Sequence, residues 1–235
     1  MSVLFCNFTG VYINEDITSE GTLLDLSDLS GTKMYIDEGA EVEIRKRTDG
    51  LICAKDEVAV KSSDEDCNMI CRHTGSLGYR LRFLDNGNYH YMTRILASYV
   101  DEPFDLITFD HHSDDQSPAF GGIKSCGSWR RDITAENHRL ESSMLVQRYD
   151  EFDAVYTPSE LPLYISIDKD ILSDKVLTTN WDQGDMTLEQ LFELLDRLIR
   201  EREIIAVDVC GEDLPENPYE KNKEFNKAMM QYIYR

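Results

Sequence analysis

The run Phe104-Asp105-Leu106-Ile107-Thr108-Phe109 is short, mostly apolar, and closes abruptly in Asp110-His111-His112-Ser113-Asp114-Asp115. With apolar residues on both sides of the two-residue repeat, it fits a strand buried on both faces, the kind found in parallel sheets covered by helices. The form recurs at 163–167, which runs into Asp168-Lys169-Asp170, and at 204–209, which runs into Cys210-Gly211-Glu212-Asp213. Parallel α/β sheets bind ligands beyond the carboxyl ends of their strands. A chain built from such runs therefore carries its polar clusters to one edge of one sheet.

The segments between the runs read mainly as helices. The clearest is 187–203, where Thr187 and Gln190 form a capping box. Its core stripe is Leu188, Leu191, Phe192, Leu195, Leu198 and Ile199. Helices are also expected over 41–47, over 91–99 (Met92, Ile95, Leu96 and Tyr99 at helical spacing), over 135–149 and over 219–234. Further strands are expected over 33–37, 79–84 and 154–156, with weaker signals at 3–8 and 10–13. The stretch 49–78 holds an acidic run, Asp64-Glu65-Asp66, and a turn signal at Thr74-Gly75-Ser76, and takes no regular assignment. Strands alternating with helices predict a three-layer α/β/α domain with a mainly parallel sheet. At 235 residues, the chain fits a single domain over 1–235.

Charge narrows the partners. The chain has 24 Lys and Arg against 45 Asp and Glu, a net charge of −21, which disfavours nucleic acid and anionic membranes. A small-molecule substrate is the expected partner. Of the six cysteines only Cys67 and Cys71 lie close together, with no second pair to complete a zinc motif. The opening MSVLFCNFTG lacks the basic flank and apolar length of a signal peptide, and no segment has the apolar length of a membrane span. A cytoplasmic protein with reduced thiols is the expectation.

The polar clusters supply six candidate ligands: His90 after the strand at 79–84, then Asp110, His112 and Asp114, then Asp168 and Asp170. Four carboxylates in one place repel one another, and two divalent cations are the economical way to neutralise them. Carboxylate-rich donors with some imidazole suit Mn²⁺, two per chain, and are compatible with Zn²⁺, Fe²⁺ or Co²⁺.

In these clusters the sequence resembles the ureohydrolases: arginase, agmatinase and formimidoylglutamase. Gly87-Asn88-Tyr89-His90 stands where that family has a Gly-Gly-Asp-His loop. Asp110-His111-His112-Ser113-Asp114 matches its Asp-x-His-x-Asp signature, and Ser166-Ile167-Asp168-Lys169-Asp170 its Ser-x-Asp-x-Asp signature. The likeness spans roughly 79–212. It implies an arginase-like fold and one Mn²⁺ on His90, Asp110, Asp114 and Asp168. The second Mn²⁺ falls to Asp110, His112, Asp168 and Asp170, with Asp110 and Asp168 bridging. The implied activity is hydrolysis of a C–N bond in a guanidino, amidine or amide small molecule through a metal-bridging hydroxide. Members of the family often assemble as homo-oligomers.

The chain departs from the family at two places. The segment after the second signature, which in arginase carries a proton-shuttling His, reads Ser125-Cys126-Gly127-Ser128-Trp129. The family's late Glu, three residues after an Asp, is here Gly211 after Asp208, with Glu212 one position further on. The expectations are therefore Asp114 or a metal-bound water as proton donor, Glu212 as acceptor for a cationic substrate group and catalytic partner or else a solvated charge, and Cys126, Ser128 and Trp129 as pocket lining, with Trp129 equally readable as core. His111 and Lys169 should point away from the metals, and His138 should be exposed. Two other readings stay open: a deacetylase-like amidohydrolase, and a member that binds metal or ligand without catalysis.

Overall fold

The apolar runs pair side by side. The strands are β1 (Val3–Asn7), β2 (Thr22–Asp25), β3 (Tyr35–Ile36), β4 (Leu81–Phe83), β5 (Phe104–Phe109), β6 (Lys124–Ser125), β7 (Leu140–Val146), β8 (Leu163–Asp168) and β9 (Ile204–Cys210). Seven form one sheet in the order β2-β1-β4-β9-β8-β5-β7, with every neighbouring pair parallel. β3 and β6 form a separate antiparallel ribbon. The structure is a computed structural model that describes residues 2–61, 78–117 and 120–235, with side chains described over 2–51, 78–117 and 121–235.

Every residue of β4, β5, β8 and β9 is buried, because these central strands are covered on both faces. That is the physical origin of their unbroken apolar runs. The helices are α1 (Val11–Asn14), α2 (Glu38–Lys61), α3 (Met92–Ala97), α4 (Trp129–Glu136), α5 (Phe152–Val155), α6 (Leu188–Glu201) and α7 (Glu220–Ile233). On one face α6 and α7 bury Leu191, Leu195, Leu198, Phe225 and Met229 against the sheet. On the other, α2, α3 and α4 bury Ile44, Ile95, Leu96, Trp129 and Ile133. Each such side chain contributes roughly 1.5–3 kcal/mol on burial. The result is the expected three-layer α/β/α architecture around a parallel sheet.

Strand order positions the site. The chain lays down β1, β2 and β4 on one side and β5 and β7 on the other, then fills the gap with β8 and β9. The carboxyl ends of β4, β9, β8 and β5 thus lie in one row, and the residues after them share one edge. The capping box on α6 is present, with Thr187 Oγ1 accepting from Gln190 N and Gln190 Oε1 from Thr187 N.

Three expectations fail. The segment 135–149 is not one helix: α4 begins earlier, at Trp129, and β7 follows. β7 is an edge strand with Met144 and Val146 buried and Glu141 and Ser142 exposed, so its weak apolar pattern concealed a strand. The short apolar segments at 154–156 and 10–13 form helical turns, α5 and α1, rather than strands. β2 went unread because only Leu24 of its four residues is buried. Conversely, the helix read at 41–47 extends over the whole of α2. Cys67, Cys71, His73, the acidic run and the turn at 74–76 lie outside the described residues. Among the described residues no helix is long and apolar enough to cross a membrane.

Candidate metal centre

The loop after β4 is pinned before it delivers His90. Asp85 adopts a left-handed backbone (φ 72°), and its buried carboxylate accepts the N–H groups of Phe8, Thr9 and Asn86. Burial pushes its pKa up to about 6 against the lowering effect of those bonds. A short 3-10 turn, Gly87–Tyr89, then places His90. Behind the ring, His90 Nε2 lies 2.9 Å from Ser166 Oγ, which lies 3.3 Å from Thr93 Oγ1. In front, His90 Nδ1 lies 3.3 Å from Asp110 Oδ2, 3.2 Å from Asp114 Oδ2 and 3.2 Å from Asp168 Oδ2.

Three of the carboxylates share one design. Asp110 Oδ1 accepts His112 N at 2.7 Å, Asp168 Oδ1 accepts Asp170 N at 3.0 Å, and Asp170 Oδ1 accepts His111 N at 3.0 Å. A backbone N–H thus fixes one oxygen of each and leaves the other aimed inward. Asp170 Oδ2 meets His112 Nδ1 at 2.8 Å, and Asp110 Oδ2 and Asp168 Oδ2 face His90. Asp114 reaches the group because its backbone turns left-handed (φ 47°), a conformation uncommon for a residue with a side chain. Trp129 Nε1 donates to Asp114 Oδ2 at 2.6 Å and holds it in place.

Two buried atoms in this group, His90 Nδ1 and Asp110 Oδ2, have no hydrogen-bond partner. Leaving such atoms unsatisfied costs on the order of 1–3 kcal/mol each, and a cation between them removes that cost. Donor atoms of His90, Asp110 and Asp114 all lie within 4.8 Å of one another, as do those of Asp110, His112 and Asp170. The two triads share Asp110, an arrangement that fits two adjacent cations. Protonation tells the same story. Burial first, then Asp114, Asp170 and Asp168, push Asp110 well above the usual carboxylate range. Asp170 is raised to about 6, by burial and then by Asp168. The hydrogen bond to Asp170 is the main cause lifting His112 to about 10. Facing only one another, these groups compete for protons, and divalent cations reverse that pressure.

The structure separates the other expected site residues. Cys126 lines the cleft beside Asp114 and Gly127. Ser128 does not: it is buried, bonded to Ser125 and Asp132, and serves the start of α4. Trp129 is buried rather than lining, and acts on the cleft through Asp114. Glu212 is turned away from the cleft. The cation it receives is the ammonium of Lys169, and Asn226 Nδ2 donates to the same oxygen at 2.8 Å. Lys169 points away from the ligands, as strand alternation implied, and is wholly buried with Glu212 and Asn222. His111 points outward, 3.7 Å from Asp182, and His138 is exposed.

Glu15 completes this second buried cluster. Burial first, then Glu212, raise its pKa to about 8, against the lowering influence of Lys169 and Asn226. In the unfolded chain Glu15 ionises near the ordinary glutamate value of 4.5. Between those values the folded protein binds the extra proton, so Glu15 makes stability fall as pH rises from about 4.5 to about 8 and flatten beyond. Glu15→Gln should reduce that slope, and thermal midpoints of both proteins across this range measure it.

Sequence reasoning missed Trp181, Asp182, Gln116 and the close-packed glycines. A Cβ on Gly87 would lie 2.7 Å from Trp181 Cδ1, and one on Gly211 (φ +92°) only 2.2 Å from Asp168 Oδ1. Gly211→Ala is therefore expected to displace Asp168 and lower metal occupancy, measured by elemental analysis. Trp129→Phe, which keeps the ring but loses the bond to Asp114, should weaken metal binding about 10–100-fold by calorimetry.

No protein-family model matches the sequence. An uncharacterised protein of Thermotoga maritima is 27% identical over 205 residues, covering 82% of this chain and 80% of that protein. Three solved structures align along nearly the whole chain. A putative agmatinase from Clostridium difficile has a TM-score of 0.58 at 13% identity, covering 98% of this chain and 94% of its own. An Entamoeba histolytica arginase in complex with L-ornithine has a TM-score of 0.58 at 9% identity, covering 98% and 97%. An agmatine ureohydrolase of Thermoplasma volcanium has a TM-score of 0.58 at 14% identity, covering 98% and 87%. The fold is arginase-like, as the three signatures implied.

Proposed function

We propose that this chain is a divergent ureohydrolase-like enzyme, a binuclear-metal hydrolase that cleaves a C–N bond in a small guanidino, amidine or amide compound. The observation that carries this reading is the pair of ligand triads sharing Asp110, with the buried atoms His90 Nδ1 and Asp110 Oδ2 left unpartnered between them. The arginase-like fold, shared with structures named for hydrolysis of such compounds, supports it.

His90, Asp110, Asp114 and Asp168 would hold one ion, and Asp110, His112, Asp168 and Asp170 the other. Mn²⁺ suits this donor set best, and Zn²⁺, Fe²⁺ and Co²⁺ remain compatible. When bound, such a pair supplies Lewis-acid polarisation and lowers the pKa of water. The chain's own residues do the rest. Backbone N–H groups hold one oxygen each of Asp110, Asp168 and Asp170 and leave the other facing inward, so the ligand cage is set before any substrate arrives. In the overall reaction the oxygen of water bonds to the reacting carbon, the C–N bond breaks, and one proton of water passes to the departing nitrogen. Asp114, half-buried at the cleft, is the carboxylate placed to carry that proton. The cleft is narrow, with about 60 Å³ of accessible space, which admits only a small group.

The test is a product screen. Metal-loaded protein incubated with guanidino, amidine and amide compounds should release urea or ammonia from at least one class, and His112→Ala should not. A fully loaded protein that releases nothing from any of them would instead support a binding role without catalysis.

A further inference from the structure

One donor in the cleft has nothing to bond to. Trp181 Nε1 is buried and unpartnered, although the indole lines the same cleft as Asp110, Asp168 and Asp170. Its position is close to the ligands. The point where a Cβ of Gly87 would lie is 3.1 Å from Trp181 Nε1 and 3.4 Å from Asp168 Oδ2. The His112 ring packs edge-on against the indole, with centroids 5.7 Å apart at 68°.

Nor is the loop carrying Trp181 loosely placed. Asn180 Oδ1 accepts Gly87 N at 3.0 Å, and Gly184 N donates to Asp170 O at 2.7 Å. Gln183 Nε2 is shared between Leu172 O at 2.9 Å and Leu177 O at 3.2 Å, and Thr179 Oγ1 donates to Trp181 O at 2.9 Å. The indole N–H is therefore a preorganised donor rather than a side chain awaiting a rotamer change.

An indole N–H can only donate. A guanidinium likewise carries only N–H donors, so the two cannot pair. A guanidinium also pairs best with a carboxylate, and none in the described cleft is free for it, so that the exposed carboxamide of Gln116 is the neutral side-chain acceptor left in the lining. The carboxylates lining it are Asp110, Asp114, Asp168 and Asp170, all candidate ligands. Glu212 is held by Lys169 and Asn226. At Gly211 no side chain fits, because a Cβ would collide with Asp168. Asp182, at the mouth, already accepts from His112 Nε2 at 3.1 Å.

We propose that Trp181 Nε1 donates to the substrate, and that the group presented to the metal centre is a carbonyl of the amide class rather than a guanidinium. This rests on the metal-centre reading above and selects among its substrate classes.

The experiment uses Zn²⁺-loaded, ¹⁵N-labelled protein, with metal content fixed first by elemental analysis. The chain has 2 tryptophans, so two indole N–H resonances are expected, and Trp181→Phe identifies one by its loss. Acetamide should move the Trp181 resonance downfield, and methylguanidinium should leave it in place. Acetamide binding, followed by calorimetry, should weaken about fivefold in Trp181→Phe, the loss of one neutral hydrogen bond. Unchanged metal content in that variant shows the cage is intact. Loaded protein whose Trp181 resonance ignores acetamide, or follows methylguanidinium instead, overturns the carbonyl assignment and leaves the metal reading standing. A chain that takes up no metal overturns the metal reading, and the carbonyl assignment with it.

Discussion

Asp168→Asn is expected to cut bound divalent metal from two per chain to fewer than one. Asp168 Oδ2 faces His90, and Asp168 Oδ1 holds the backbone N–H of Asp170. The amide can keep the second contact but supplies no charge to the first. Losing an anion proposed to bridge both ions should weaken metal binding by more than about a hundredfold, beyond the effect of an outer hydrogen-bonding partner. Stability separates this from simple damage. Without metal, the variant should melt no lower than the parent, because Asp168 is among the charges that press Asp110 upward. With metal at about 100 times its Kd, the parent should gain roughly 2.7 kcal/mol and the variant almost nothing. Calorimetric titration and thermal melts in chelator and in Mn²⁺ read both effects.

The second large effect lies beneath the site. Arg82 and Asp208 are both wholly buried, with Arg82 Nε 2.5 Å from Asp208 Oδ1. Tyr164 OH donates to the other carboxylate oxygen at 2.6 Å, and the guanidinium sits 4.7 Å from the Tyr164 ring centroid. Burial raises the Asp208 pKa, and Arg82 is the main influence opposing it. Arg82→Met strands that carboxylate in the core, and should cost about 3–5 kcal/mol of stability in denaturant unfolding. Arg82→Met with Asp208→Asn should recover a large part of it, because the stranded charge is gone. Equal losses in the single and double variants would mean that packing, rather than charge, sets the cost.

Much of the candidate metal centre was legible because its candidate ligands belong to short local patterns at strand ends. An apolar run that closes in Asp110 or Asp168 carries both the strand and the candidate ligand in the same few residues. The means of convergence was not legible. Extended alternation past β5 would also have grouped Asp110, His112 and Asp114, but the strand stops at Phe109 and Asp114 arrives through a left-handed turn. Glu212 reads in sequence as a free carboxylate after a strand. Its partners, Lys169 and Asn226, are supplied by a neighbouring strand end and by α7. Trp181 shows the same limit, since the contact that places its loop joins Gly87 to Asn180 across 93 positions. β7 was lost for another reason. An edge strand with few buried residues has too weak an apolar period to tell it from a helix.

Anomalous diffraction from crystals grown with Mn²⁺ tests the central claim most directly. Two peaks per chain, roughly 3.5–4 Å apart and both in contact with Asp110 and Asp168, are the predicted result. A single peak on one triad, or none at these residues in Mn²⁺-saturated crystals, would contradict a binuclear centre.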